Sequence, residues 1–220
     1  MIAFNAAPPQ GTVRDWLDQQ ASTRGDQIAY RFTDGAADLS WASLRDVAHA
    51  RAQGLTALGM TKGESLAVMM PNGRAALETL FAGLCGGFRV TMINLAAGND
   101  AITYAFKHCE ARFACVGADQ QVQFAATCPD GLRPLPENLD LMAQVPLHPL
   151  SSADDALLMY TSGTTGQPKG VVHSHSSLLA GGWTTARAHA LTEHDCGYCV
   201  LPICHINGLC VSVMGCLISG

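Results

Sequence analysis

Leu66-Ala67-Val68-Met69-Met70 is an unbroken apolar run, and Pro71-Asn72 closes it. A helical pattern follows from about Arg74 to Cys85, with Leu77, Leu80, Phe81 and Leu84 on one face and Gly86-Gly87 at its end. Val90 to Ile93 repeats the apolar run, Asp100 to His108 reads as a second helix, and Phe113-Ala114-Cys115-Val116 as a third strand. Strands apolar on both faces and joined by helices predict right-handed crossovers and a mostly parallel sheet with flanking helices. The fold class is α/β.

Upstream, Val13, Trp16 and Leu17 predict a short amphipathic helix. Gln27 to Phe32 alternates like a half-buried strand, Thr33-Asp34-Gly35 is turn chemistry, and Leu39-Ser40-Trp41 reads as the return strand. A helix then runs from about Ala42 to Leu58, stopped by Gly59. Downstream, residues 118–152 are weaker in pattern and rich in proline, which suggests a peripheral connector. Ala156-Leu157-Leu158-Met159-Tyr160 restores the buried-strand pattern, and Tyr198 to Leu201 reads as a further buried strand. Residues 211–220 form an apolar segment expected to lead into another strand.

Composition narrows the class. Of 220 residues, 48% are hydrophobic and 14% charged, which excludes disorder and implies a sizeable core. The net charge of −5, with no Lys/Arg cluster, argues against a nucleic-acid partner. Nine cysteines (Cys85, Cys109, Cys115, Cys128, Cys196, Cys199, Cys204, Cys210 and Cys216) sit mostly in apolar runs. The first residues lack a basic leader, and Pro8-Pro9 interrupts any apolar stretch there, so a reducing cytoplasm with free thiols is expected. The apolar run from Leu209 to Ile218 is too short to span a bilayer.

The chemistry concentrates in Tyr160-Thr161-Ser162-Gly163-Thr164-Thr165-Gly166-Gln167-Pro168-Lys169-Gly170. Its glycines permit a close backbone approach, so successive N–H groups can converge on an anion. Thr161, Ser162, Thr164 and Thr165 add hydroxyl donors, and Lys169 adds charge. A Walker A loop fits poorly: Pro168 stands where its second glycine belongs, and Gly170 where its Mg²⁺-binding hydroxyl belongs. A flexible surface turn is the plain alternative, but the density of donors directly after a buried strand favours phosphate.

This run resembles the phosphate-binding signature of the AMP-forming adenylating superfamily, which includes acyl-CoA synthetases, peptide-synthetase adenylation domains and luciferases. The resemblance extends through Val171-Val172-His173-Ser174-His175 and includes Leu201-Pro202-Ile203-Cys204-His205-Ile206-Asn207-Gly208, similar to the family's second core motif. Leu39-Ser40-Trp41, Met70-Pro71-Asn72 and Ile93-Asn94 match more weakly. The resemblance implies an acid–thiol ligase: carboxylate and ATP give acyl-adenylate and pyrophosphate, and coenzyme A then takes the acyl group. It further implies that Thr161, Ser162, Gly163, Thr164, Thr165, Gly166 and Lys169 contact ATP, and that His205 stands near the acyl pocket and α-phosphate. Mg²⁺ is implied as well. The family's Tyr-Gly-x-Thr-Glu segment, whose Glu helps hold that ion, is not found among residues 1–220. The expectation is therefore a truncated N-terminal adenylation domain, inactive alone, with residues 1–152 as a first α/β portion and 153–220 as the phosphate-loop portion. The rival is a non-catalytic phosphate-binding module that keeps only the loop.

Three lesser patterns compete with bland readings. His205 could be a hydrogen-bonded core histidine. His173 and His175 could bind metal, although strand alternation with Ser174 as a helix cap suits them better. Cys196-Gly197-Tyr198-Cys199 with Cys204-His205 suggests zinc. Adjacent ligands strain a tetrahedral site, however, and a strand would put Cys196 and Cys199 on opposite faces. No metal site is expected.

Overall fold

A parallel sheet buried on both faces needs helices on both sides. The computed structural model, which describes residues 7–139, 143–161 and 168–220, has that arrangement. Its central sheet contains β3 (Ser65–Met69), β4 (Arg89–Met92), β5 (Phe113–Val116), β6 (Arg133–Pro136), β7 (Asp155–Thr161) and β8 (Lys169–Ser174). They lie in the order β6-β5-β3-β4-β7-β8, parallel except for β8, which runs antiparallel to β7. A small antiparallel pair, β1 (Ile28–Tyr30) and β2 (Leu39–Ser40), stands apart.

Pleating sends alternate side chains to opposite cores. Leu66, Val68, Val90, Met92, Phe113 and Cys115 face a large core shared with α1 (Val13–Arg24), α2 (Trp41–Ala57), α3 (Arg74–Gly86) and α6 (His175–Ala188). Ala67, Met69, Ala114 and Val116 face a smaller core formed with α4 (Asn99–His108) and α5 (Gln121–Thr127). Trp41, Phe81, Phe88, Phe106 and Phe113 are fully buried. Burial of each such side chain contributes about 1.5–3 kcal/mol against exposure.

Local chemistry sets the helix ends. Thr12 and Asp15 form a reciprocal capping box on α1, the Thr12 Oγ1 accepting from the Asp15 N–H and the Asp15 carboxylate from the Thr12 N–H. Gly87 ends α3 at φ 80°, a left-handed conformation that suits glycine.

Three expectations need correction. Trp41 belongs to α2 and not to a strand, because Ser40 Oγ accepts from the Ser43 N–H and starts the helix there. The connector over 118–152 carries a 3₁₀ turn at Ala118–Gln120, helix α5 and strand β6. The prolines of β6 are tolerated because it is a sheet edge with β5 as its single partner strand. Residues 198–201 form no strand, and Tyr198 and Val200 are 74% and 70% exposed. Residues 208–219 are helical: a π-helix at Gly208–Met214 continues into α7 (Gly215–Ser219). Its buried Leu209, Val213, Met214, Leu217 and Ile218 follow helical spacing. Gly182 of α6 lets that segment approach, since a Cβ there would lie 2.5 Å from the Met214 carbonyl oxygen.

Candidate functional site

Parallel strands bring their outgoing loops to one edge of the sheet. At the carboxyl end of β7, Thr161 pairs in register with Lys169 of β8, and the Thr161 hydroxyl lies 3.4 Å from the Lys169 carbonyl oxygen as its donor. Both residues are exposed, and the Lys169 ammonium forms no ion pair with a described residue. Ser162, Gly163, Thr164, Thr165 and Gly166 lie between them, outside the described residues.

A polar peg fixes the base of this hairpin. The Tyr160 hydroxyl donates to the Ala105 carbonyl at 3.2 Å and lies 2.9 Å from His108 Nδ1. Burial, reinforced by Cys109 and Tyr104, pushes the phenol well above its ordinary pKa, so it stays neutral. Tyr104 stacks on the His108 ring with centroids 5.5 Å apart. Gly170 permits this packing, because a Cβ there would stand 2.9 Å from Leu158 and 3.2 Å from His108. The end of α4 thereby holds the strand that enters the loop.

A crevice opens beside it. The chain leaves β3 into α3 on one face of the sheet and leaves β4 into α4 on the other, so their carboxyl ends diverge. Asn72, just past β3, reaches from this point to the segment carrying His205. Its Nδ2 donates to the Leu201 carbonyl at 2.9 Å, and its Oδ1 accepts from the Ile203 N–H at 2.9 Å. These bonds fix the backbone of residues 201–203 just before His205. His205 itself is exposed; its N–H donates to the Pro202 carbonyl at 3.0 Å, and its ring makes no hydrogen bond with a described residue. The segment of His205 thus meets the same sheet edge as the hairpin, while its ring contacts neither Thr161 nor Lys169 through a hydrogen bond. Sequence inspection marks Asn72 as a strand end with a weak family match and gives it no role. Its bonding to residues far downstream leaves no local signal.

An open cleft of about 330 Å³ adjoins Asn72 and is bordered by Met70, Arg74, Glu78 and Glu137. Beneath it Glu78 is gripped from two sides, by Arg51 Nη2 at 2.5 Å and Arg74 Nε at 2.7 Å.

Ser174 ends β8 and caps α6, its Oγ accepting from the Ser177 N–H. Among the described residues no three His, Cys, Asp or Glu side chains are placed to hold a metal ion. Burial pushes the Cys210 and Cys216 thiols up to about 11 and Cys115 up to about 12, far from the thiolate range of a nucleophile.

His175 carries a pH consequence. It is fully buried, its Nδ1 accepts from the Val13 N–H at 3.3 Å, and its Nε2 has no partner among the described residues. Desolvation lowers its pKa to about 4, and Arg14 and Lys62 add to this against Asp154 and Asp15. Between the unfolded value of 6.5 and about 4 the unfolded chain binds the extra proton, so stability falls as pH drops through that window. The full loss is about 3 kcal/mol. In the His175→Asn variant, which keeps an acceptor for Val13, urea unfolding at pH 7 and pH 5 should differ by about 2 kcal/mol less than in the wild type. An unchanged difference would assign the acid sensitivity elsewhere.

By sequence, a hydroxyl- and glycine-rich loop joins β7 to β8 at the carboxyl edge of a parallel sheet covered by helices on both faces. Residues 17–220 match the AMP-binding enzyme family, and the chain belongs to it. It is 32% identical over 202 residues to a sulfoacetate–CoA ligase of Cupriavidus necator, covering 85% of this chain and 39% of that protein. With a 2-succinylbenzoate–CoA ligase of Geobacillus kaustophilus it shares 29% identity over 215 residues, 92% of this chain and 41% of the relative. The chain thus spans about two fifths of the length of these curated relatives. The fold is similar to that of o-succinylbenzoate CoA synthetase of Bacillus subtilis in complex with its acyl-adenylate intermediate (TM-score 0.82, 21% identity, 95% of this chain and 54% of that one). It is also similar to the N-terminal domain of FACL13 of Mycobacterium tuberculosis (TM-score 0.80, 24% identity, 94% and 55%). No helix among the described residues is long and apolar enough to cross a membrane.

Proposed function

We propose that the chain supplies the phosphate-gripping part of a cytoplasmic, AMP-forming acid–thiol ligase, which joins a carboxylic acid to coenzyme A through an acyl-adenylate. The supporting observation is the β7–β8 hairpin, whose loop leaves the carboxyl edge of a parallel sheet between Thr161 and Lys169 in a chain of the AMP-binding enzyme family. The named relatives, ligases of sulfoacetate and 2-succinylbenzoate, favour carboxylate chemistry with coenzyme A as acceptor.

In this reading Thr161, Ser162, Gly163, Thr164, Thr165, Gly166 and Lys169 grip the β- and γ-phosphates of ATP. Their task is to stabilise charge on departing pyrophosphate through donors already in place. His205 serves at the α-phosphate and acyl carboxylate. Residues 1–152 frame the site and 153–220 carry the loop. The described residues do not assemble a carboxylate cluster that would hold Mg²⁺, so no step is routed through that ion.

The test is acid-dependent ATP–pyrophosphate exchange by the polypeptide of the whole reading frame, against a panel of short, long and aromatic acids. Exchange with one class of acid is expected; none with any acid would overturn the reading. Lys169→Ala should slow exchange by about tenfold, the scale of one charge-assisted hydrogen bond.

A further inference from the structure

Asn72 does for residues 201–203 what a neighbouring strand would do. A strand partner accepts from one N–H and donates to a carbonyl two residues away. The Asn72 amide makes both bonds, to the Ile203 N–H and the Leu201 carbonyl, each at 2.9 Å. Gly208 lies against the same backbone: a Cβ there would lie 2.5 Å from the Pro202 carbonyl oxygen and 2.9 Å from that of Leu201. Ile203 then turns into the large core, while His205 closes a turn onto the Pro202 carbonyl and emerges into solvent. The segment is held by Asn72 and packed by Gly208 without belonging to a sheet or a helix.

We propose that Asn72 is a positioning residue for His205, clamping residues 201–203 across the crevice at the carboxyl ends of β3 and β4. The proposal rests on the reading of His205 and the hairpin as parts of one adenylating site. Asn72 touches no reacting atom. It sets where the His205 backbone starts, and a displacement of about 1 Å in such a group can cost on the order of a hundredfold in rate.

Asn72→Ala, Asn72→Asp and Asn72→Gln separate the possibilities. Asn72→Ala should speed hydrogen exchange of the Ile203 N–H roughly fivefold to tenfold while leaving β3 and β4 amides unchanged. It should also shift the His205 ring resonances. Asn72→Asp keeps the acceptor for Ile203 but loses the donor to Leu201, so Ile203 stays protected and the His205 resonances still move. Asn72→Gln should partly restore both. In ATP–pyrophosphate exchange by the whole-frame polypeptide, Asn72→Ala should lower kcat on the order of ten- to a hundredfold with the KM for ATP nearly unchanged.

Unchanged Ile203 exchange and His205 resonances in Asn72→Ala would overturn the clamp, as would a rise in KM with kcat intact. If the wild type shows no exchange with any acid, the proposed function fails. The amide and ring signals of the 220-residue chain then still decide whether the clamp exists.

Discussion

Glu78→Ala should lower the unfolding free energy by about 3–5 kcal/mol, the usual cost of stripping one partner from a buried ion pair. The side chains of Glu78 and Arg51 are 6% and 8% exposed, so both charges are largely withdrawn from water. Arg51 would keep bonds to Thr79 Oγ1 and the Glu137 carbonyl, both at 3.1 Å, but its charge would stand uncompensated in the core. Arg74 is half-buried and also donates to the Ala37 carbonyl at 2.9 Å, so its part of the loss is smaller. The network ties α2, the first turn of α3 and the exit of β6 together beneath the cleft beside Asn72. Glu78→Gln, which preserves shape without charge, should fall between wild type and Glu78→Ala. Arg51→Met combined with Glu78→Leu should be more stable than Glu78→Ala alone, because no buried charge then lacks a partner. Urea unfolding at constant m-value measures all of these. A Glu78→Ala loss below about 1 kcal/mol would show that the pair is solvated and that the cleft is wetter than its burial implies.

That network also marks where sequence reading stops. The runs at 66–70, 90–93, 113–116 and 156–160 are legible because strands covered on both faces must be apolar throughout, whatever their partners. Tyr198 to Leu201 has a similar composition but no described strand beside it, and Asn72 bonds only the Leu201 carbonyl at its end. Pairing, not apolarity, makes a strand, and this pairing joins residues 129 apart. The helix over 208–219 is hard to read in the sequence for another reason: Leu209, Val213, Met214, Leu217 and Ile218 lie at helical spacing, but the small and apolar residues between them hide the period. Strand β6 is obscured by Pro134 and Pro136, which only an edge position allows. The proposed phosphate loop, Thr161, Ser162, Gly163, Thr164, Thr165, Gly166 and Lys169, stands out in the sequence because its chemistry is contiguous. Asn72, Arg51 and the His108–Tyr160 peg are not, because each acts on residues distant in the chain.

Replacing Thr164 and Thr165 together by Ala should reduce ATP–pyrophosphate exchange on the order of 10²–10⁴-fold, since two hydrogen bonds to a charged group contribute about 1.5–3 kcal/mol each. The argument is chemical. Pyrophosphate leaves with negative charge that only donors already aimed at it can stabilise, and hydroxyls between glycines can turn toward it at little steric cost. The backbone N–H groups of the same loop remain in the double variant, so weak binding of inorganic pyrophosphate should survive. The loss should appear in kcat more than in the KM for ATP if the hydroxyls grip the leaving group more tightly in the transition state than in bound ATP. Lys169→Ala should do less damage, because the lysine acts as one mobile charge at the rim of the loop while the donors between Thr161 and Lys169 act together. The pattern separates two designs of phosphate site. Exchange unchanged in the double variant but abolished by Lys169→Ala would mean that charge, not the hydroxyl-lined loop, carries the chemistry. Exchange unchanged in both would remove the hairpin from the mechanism and leave it a turn between β7 and β8.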